Sequence, residues 1–162
     1  MPHVTTITPD LTPDSDIRVA VVVSRYNAWI TDRLRDGALD ELQRRCGDRA
    51  RAVVVPVPGS FEVPVLAAAA AASGKFHAVV ALGCIIKGET IHDQVIAQAI
   101  TNEIAAAACR TGVPIGLGIL TVNNAQQAEA RAGGAAGNKG AEAMSAALET
   151  AAALKALAAL SP

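Results

Sequence analysis

The segment Phe76–Ile86, FHAVVALGCII, runs directly into Lys87–His92, KGETIH, and this junction decides the class of the fold. The segment is apolar at both alternating positions, so it reads as a buried strand covered on two faces. Gly88 then breaks the run. From Ile91 to Thr111 the chain takes up alanine-rich helical spacing, which Gly112 closes. A buried strand that passes through a short polar loop into a helix is half of a parallel crossover unit.

The same unit recurs on both sides of this junction. Upstream, Ile17–Ser24 (IRVAVVVS) is a β-branched run of the same buried kind. Helical spacing follows over Thr31–Arg45, with Leu34, Ala38, Leu39 and Leu42 on one face. Thr31 or Asn27 is placed to cap this helix, and Asp32 suits its first turn. A second strand, Ala52–Val57, ends in the turn Pro58-Gly59-Ser60. A second helix spans Phe61–Ser73, with Pro64 in the first turn, where a missing N–H is tolerated. Downstream, Val113–Val122 (VPIGLGILTV) is a fourth strand whose glycines permit close backbone approach. A short helix over Gln126–Arg131 and a long one over Asn138–Leu160 complete the pattern. Residues 1–16, rich in Pro and Asp turn signals, read as an extended arm before a single domain of residues 17–162. Strands alternating with helices predict an α/β fold with a four-stranded parallel sheet and right-handed crossovers.

Composition narrows the function classes. The chain has 162 residues, of which 51% are apolar but only 2% aromatic, so Ala, Val, Leu and Ile must fill the interior. Alanine-rich helices bury little area each, which makes association into a homo-oligomer a natural remedy. A net charge of −1 with both signs interspersed argues against nucleic acid or a membrane surface as partner. Cys46, Cys84 and Cys109 show no CxxC spacing, so neither a disulfide framework nor a zinc site is expected. No secretory leader pattern and no apolar run of membrane-spanning length is found, which predicts a cytoplasmic location.

In open parallel sheets, ligands collect at the loops beyond the carboxyl ends of the strands. Four polar segments fall there: Ser24–Ile30 (SRYNAWI), Val57–Pro64 (VPGSFEVP), Lys87–His92 (KGETIH) and Thr121–Gly134 (TVNNAQQAEARAGG). Gly88, Glu89 and Thr90 offer backbone N–H groups and a hydroxyl at a helix start, which suits a phosphate. His92 follows as a candidate general acid/base. The same residues also fit a helix capped by Thr90 with a surface histidine. Arg131 can clamp a phosphate bidentately or be an exposed helix arginine. Lys139, placed against the dipole at a helix start, hints at an anionic or polar partner. Tyr26 can stack on a planar heterocycle or pack into the core. Ser60 and Phe61 open a helix whose N–H groups can hold hydroxyls or carbonyls, and Glu62 can serve either a ligand or the dipole. Trp29 reads as packing, and Cys84, inside a strand, as an inert thiol. No Ser-His-Asp order, metal-ligand cluster or Walker-type loop is present.

Five segments, taken in order over about residues 17–155, resemble the lumazine synthase family, the 6,7-dimethyl-8-ribityllumazine synthases of riboflavin biosynthesis. They are SRYNAWITDRLRDGALDEL, VPGSFEVP, LGCIIKGETIHDQV, GVPIGLGILTVNNAQQAEARAGG and GNKGAEAMSAALE. The resemblance implies a flavodoxin-like three-layer α/β/α subunit and a homopentamer, in some members assembled further, with sites at subunit interfaces. It implies a transferase that condenses 5-amino-6-(D-ribitylamino)uracil with 3,4-dihydroxy-2-butanone 4-phosphate and needs no cofactor. By the same resemblance Tyr26 would stack on the pyrimidine beside Asn27, and Ser60, Phe61 and Glu62 would hold the ribityl chain. Lys139 would reach a pyrimidine carbonyl. Gly88, Glu89 and Thr90 would bind the phosphate, Arg131 would reach it from a neighbouring subunit, and His92 would move protons.

Three positions depart from the family pattern. Leu117 stands where an aromatic often closes the pyrimidine site, Asp93 where an aromatic often follows the histidine, and Lys87 where arginine is frequent. A carboxylate beside His92 is expected to raise the imidazole pKa. Three other readings are a non-catalytic flavin or lumazine carrier on the same fold, a mononucleotide-binding module, and a purely structural shell protein, which the full set of site residues argues against. The carrier has no need of His92 or Arg131, and the module lacks its Ser/Thr-rich phosphate loop after the first strand.

Overall fold

Alternation of side chains along two central strands organises the molecule, whose computed structural model describes residues 2–8 and 16–160. Strand β1 (Ile17–Ser24) and strand β3 (Ala78–Ile86) lie side by side, with Val19 paired to Ala78 and Val23 to Leu82. Val19–Val23 are at most 4% exposed. Strand β2 (Ala50–Val57) flanks β1, and β4 (Ile115–Val122) flanks β3, giving the order β2-β1-β3-β4 with every pair parallel. The alternation rule then sends Val19, Val21, Val23, Val80 and Leu82 to one face and Ala20, Val22, Val79 and Ala81 to the other.

Each face is closed by helices. Helix α1 (Ala28–Cys46) and helix α5 (Lys139–Ala158) cover the first face through Ile30, Leu34, Met144 and Leu148. Helix α2 (Val63–Ala72) and helix α3 (His92–Thr111) cover the second through Val63, Ala67, Ile100 and Ile104. Complete burial of side chains such as Ile30, Leu34 and Ile100 contributes on the order of 1.5–3 kcal/mol each. The result is a three-layer α/β/α, flavodoxin-like fold, as the sequence predicts.

Several boundaries differ from expectation. Helix α1 starts at Ala28, and neither expected residue caps it with its side chain. Thr31 instead donates its hydroxyl to the Ser24 carbonyl at 2.7 Å. Residues Ser60–Glu62 form a 3₁₀ turn, so α2 begins two residues later than predicted, with Pro64 inside its first turn. Helix α3 begins at His92 without a side-chain cap, and Gly112 ends it in the left-handed conformation (φ 68°). Helix α4 (Ala125–Arg131) is capped by Asn124, whose side chain accepts from the Gln127 N–H at 2.9 Å. A small antiparallel hairpin of β5 (Ala132–Gly134) and β6 (Gly137–Asn138) joins α4 to α5. It was not expected, because Ala and Gly carry no strand pattern. Asn138 then caps α5, accepting from Gly140 and Ala141. Of the expected arm, residues 2–8 and Asp16 adopt neither helix nor strand, while residues 1 and 9–15 lie outside the described residues.

Glycine sets how closely α5 docks. A Cβ at Gly140 would collide with the Leu34 carbonyl of α1, and one at Gly116 with the Ala143 carbonyl of α5. Gly→Ala in an open helix position stabilises by up to about 1 kcal/mol. Gly140→Ala is expected to do the opposite and destabilise by about 1–3 kcal/mol, the range for overpacking, as measured by urea unfolding. An unchanged or raised midpoint would contradict this close packing.

Candidate active site

All four strands are parallel, so the loops after β1, β2, β3 and β4 meet at one edge of the sheet. Backbone hydrogen bonds tie these loops together. Arg25 donates to the Val57 carbonyl at 2.8 Å and Tyr26 to the Pro58 carbonyl at 3.1 Å, which joins the first loop to the second. Lys87 donates to the Val122 carbonyl at 2.8 Å, which joins the third to the fourth. Between the first three loops lies a cleft of about 620 Å³, within the range of small-molecule sites.

The first loop depends on Asn27. It is the only non-glycine residue with positive φ (58°) among the described residues, a conformation that Asn tolerates better than most side chains. Its carbonyl accepts the first helical bonds of α1, and its side-chain Nδ2 donates to the Cys84 carbonyl at 3.0 Å. One residue thereby starts α1 and ties its entry to the end of β3. Tyr26, just before it, is 69% exposed on the cleft wall, which excludes the core-packing reading. Trp29 is also exposed and so is not the packed residue expected from sequence.

The second loop brings Gly59, Ser60 and Phe61 to the cleft. Ser60 is buried against Gly83 of β3, where a Cβ would lie 2.6 Å from the serine Oγ. Phe61 is 61% exposed and, with Tyr26, gives the cleft an aromatic rim. Glu62 does not line the cleft. Its Oε2 accepts the Gly59 N–H at 2.8 Å and holds the loop in shape.

The third loop supplies Gly88, Thr90 and His92. With no side-chain cap on α3, the positive end of its dipole faces the cleft mouth. Thr90 is exposed, and its Oγ1 is 3.4 Å from the His92 N–H, a long contact that leaves the hydroxyl available to a ligand. Cys84, Ile85, Ile86 and Ile96 form an apolar floor. Burial pushes the Cys84 thiol up to about 11, consistent with the inert role expected of it.

Asp93, the second residue of α3, also lines the cleft. It is only 8% exposed, and its Oδ1 is the one buried side-chain oxygen or nitrogen without a hydrogen-bond partner among the described residues. An unmet buried acceptor costs about 1–3 kcal/mol, and more when charged. The sequence marks Asp93 as unusual beside His92, but only the fold shows that its carboxylate is enclosed.

The remaining candidates lie outside the cleft of a single chain. Glu89 is exposed on the third loop. Leu117 is 46% exposed on the edge strand β4. Arg131, in the last turn of α4, donates to the Gln127 carbonyl at 3.1 Å, and Lys139 pairs with Glu142 at 2.6 Å on the surface. Arg131 and Lys139 flank the β5–β6 hairpin, so one structural unit presents both cations. Among the described residues no group of His, Cys, Asp and Glu is placed to hold a metal ion, and no helix is long and apolar enough to cross a membrane.

A family model described as 6,7-dimethyl-8-ribityllumazine synthase matches residues 16–155. The chain belongs to the 6,7-dimethyl-8-ribityllumazine synthase family. It is 44% identical over 150 residues to the protein of that name from Nitratidesulfovibrio vulgaris, covering 93% of this chain and 96% of the relative. It is 47% identical over 134 residues to the one from Chlorobium phaeovibrioides, covering 83% and 86%. Against the Desulfovibrio desulfuricans protein of the same name, identity is 45% over 134 residues, with the same coverage. As a lumazine synthase family member, the chain places the aromatic pair, the uncapped helix start and His92 around one cleft.

Three outcomes check this geometry. Asn27→Ala is expected to lose about 1–2 kcal/mol from the left-handed backbone and a further ~0.5–1.5 kcal/mol from the bond to Cys84. Asn27→Gly should lose only the second part, and equal losses in urea unfolding would argue against the backbone account. Native alkylation at pH 8 is expected to modify exposed Cys109 and spare Cys84, as read by mass spectrometry. Stability should fall as pH rises between about 9 and about 11, because the unfolded thiol, at 9.0, releases its proton before the buried one.

Proposed function

We infer that this chain carries out the reaction of its family. It condenses 5-amino-6-(D-ribitylamino)uracil with 3,4-dihydroxy-2-butanone 4-phosphate to 6,7-dimethyl-8-ribityllumazine and releases phosphate and water. The observation that carries this reading is the single cleft in which exposed Tyr26 and Phe61 face the start of α3, with Thr90 and His92. An aromatic wall suits a flat pyrimidine, and a helix start suits a phosphate.

The pyrimidine stacks on Tyr26 beside Asn27, while Ser60 and Phe61, with Glu62 shaping their loop, hold the ribityl chain. Gly88, Glu89 and Thr90 take the phosphate. The 5-amino group attacks the ketone and loses water to give a Schiff base. Phosphate then leaves, the resulting enol tautomerises, and the ribitylamino nitrogen closes the ring with loss of a second water. His92 relays protons in these steps, and the dipole of α3 stabilises the departing anion. With so few reactive groups, much of the acceleration comes from holding both substrates together.

Arg131, Lys139 and Leu117 enter the site from a neighbouring copy. Three observations support this. They lie outside the cleft of their own chain, the β5–β6 hairpin presents both cations, and the cleft wall carries the exposed aromatics Tyr26 and Phe61. Further exposed apolar side chains, Val65 and Val95, continue along α2 and α3. The assembly is a homopentamer, alone or combined into larger particles, and each copy is one domain over residues 17–162. It is cytoplasmic and works without a cofactor.

Mixing the protein with both substrates should yield lumazine, followed by absorbance and fluorescence, well above the uncatalysed rate. No excess product would overturn the assignment. Arg131→Ala should raise KM for the butanone phosphate by about 10- to 100-fold, the loss of one charge-assisted contact, and leave KM for the pyrimidine little changed. Equal effects on both would count against a phosphate clamp. His92→Ala should lower turnover, by at most the ~10²–10⁴-fold of acid/base groups. Unchanged turnover and pH profile would remove His92 from the proton relay.

A further inference from the structure

Asp93 is more than nine-tenths buried, it lines the cleft, and its Oδ1 has no partner within the chain. An ionised carboxylate accepts hydrogen bonds and gives none, so whatever satisfies it must be a donor. Within the same cleft the Asn27 amide already donates to the Cys84 carbonyl, and Ile85, Ile86 and Ile96 offer no donor side chain. An unmet acceptor on a cleft wall is the mark of a group kept for a ligand, since stability alone would favour an apolar residue there.

The choice of ligand follows from charge. A second anion close to Gly88 and Thr90 would repel a phosphate, so the carboxylate is poorly suited to the phosphorylated substrate. The aminopyrimidine is uncharged, carries several N–H donors and occupies the same cleft. We propose that Asp93 is a substrate-binding residue whose carboxylate accepts a hydrogen bond from an N–H group of the aminopyrimidine. This rests on the functional reading above. It gives the site an acceptor in place of the apolar contact that an aromatic would make at this position. It also makes Asp93 a specificity element, which favours a donor-rich heterocycle over an analogue without that N–H.

The test uses the full-length protein and two variants, Asp93→Leu and Asp93→Asn. The measurements are the Kd of 5-amino-6-(D-ribitylamino)uracil by calorimetry, KM for each substrate, and the Tm of the ligand-free protein. Asp93→Leu should weaken pyrimidine binding by about 10- to 100-fold, as for a hydrogen bond to a charged group. Asp93→Asn keeps an acceptor oxygen and should weaken it by about fivefold. KM for the butanone phosphate should stay within about twofold of the parent value. Tm should hold in Asp93→Asn and hold or rise in Asp93→Leu, which removes an unpaired buried acceptor.

Unchanged pyrimidine Kd in both variants overturns the proposal. So does a lower Tm or an altered oligomeric state with Kd unchanged, because the carboxylate's donor then belongs to a neighbouring copy. Equal weakening of both substrates also overturns it. A parent protein that forms no lumazine instead refutes the functional reading. An active parent whose variants bind the pyrimidine normally refutes the role of Asp93 alone.

Discussion

Parallel pairing of four strands, the inner two covered on both faces, is the constraint on which everything else depends. It directs every strand-to-helix loop to one edge of the sheet and leaves only the spacing between loops to be set locally. Asn27 sets much of that spacing. Its left-handed backbone turns the chain off β1 into α1, while its side chain reaches the carbonyl of Cys84 at the end of β3. Gly83 completes the fit by leaving room for Ser60. Three loops that are distant in sequence are thereby held around one volume before any ligand arrives.

On the proposed reading, what the loops of one chain enclose is half of the site. The aromatic rim is largely exposed, and the two cations on either side of the β5–β6 hairpin do not line the cleft of their own chain. A single copy thus has the apolar wall and the positive end of a helix, but no lysine or arginine on its cleft wall. Exposed aromatic and aliphatic side chains around the mouth are a cost in water and a gain at an interface. On this account assembly and catalysis depend on the same surface.

Much of the fold was legible because β1 and β3 are buried on both sides, which fills both alternating sets of positions with apolar residues and makes the strands unmistakable. The exposure of β2 was not legible. Its run of valines reads the same whether a helix, another copy or water covers it. The start of α1 was misplaced because Thr31, which looks like a cap, bonds to the Ser24 carbonyl instead. The hairpin β5–β6 was invisible, since Ala and Gly have no strand pattern and its glycines at φ 94° and 77° read only as turns. In the site, Tyr26, Asn27, Ser60, Phe61, Gly88, Thr90 and His92 could be gathered by their places after strands. Asp93 could not, because nothing in a helical sequence tells a solvated first-turn carboxylate from one buried in a cleft wall.

The central claim is that one chain holds the aromatic and proton-relay side while its neighbour completes the phosphate clamp. Co-expression of His92→Ala chains with Arg131→Ala chains tests it most directly. Random assembly places intact clefts beside intact arginines at some interfaces, so the mixed particles should form lumazine faster than either variant alone. If the mixed assemblies are no more active than the average of the two variants, each site is built within a single chain and the account is wrong.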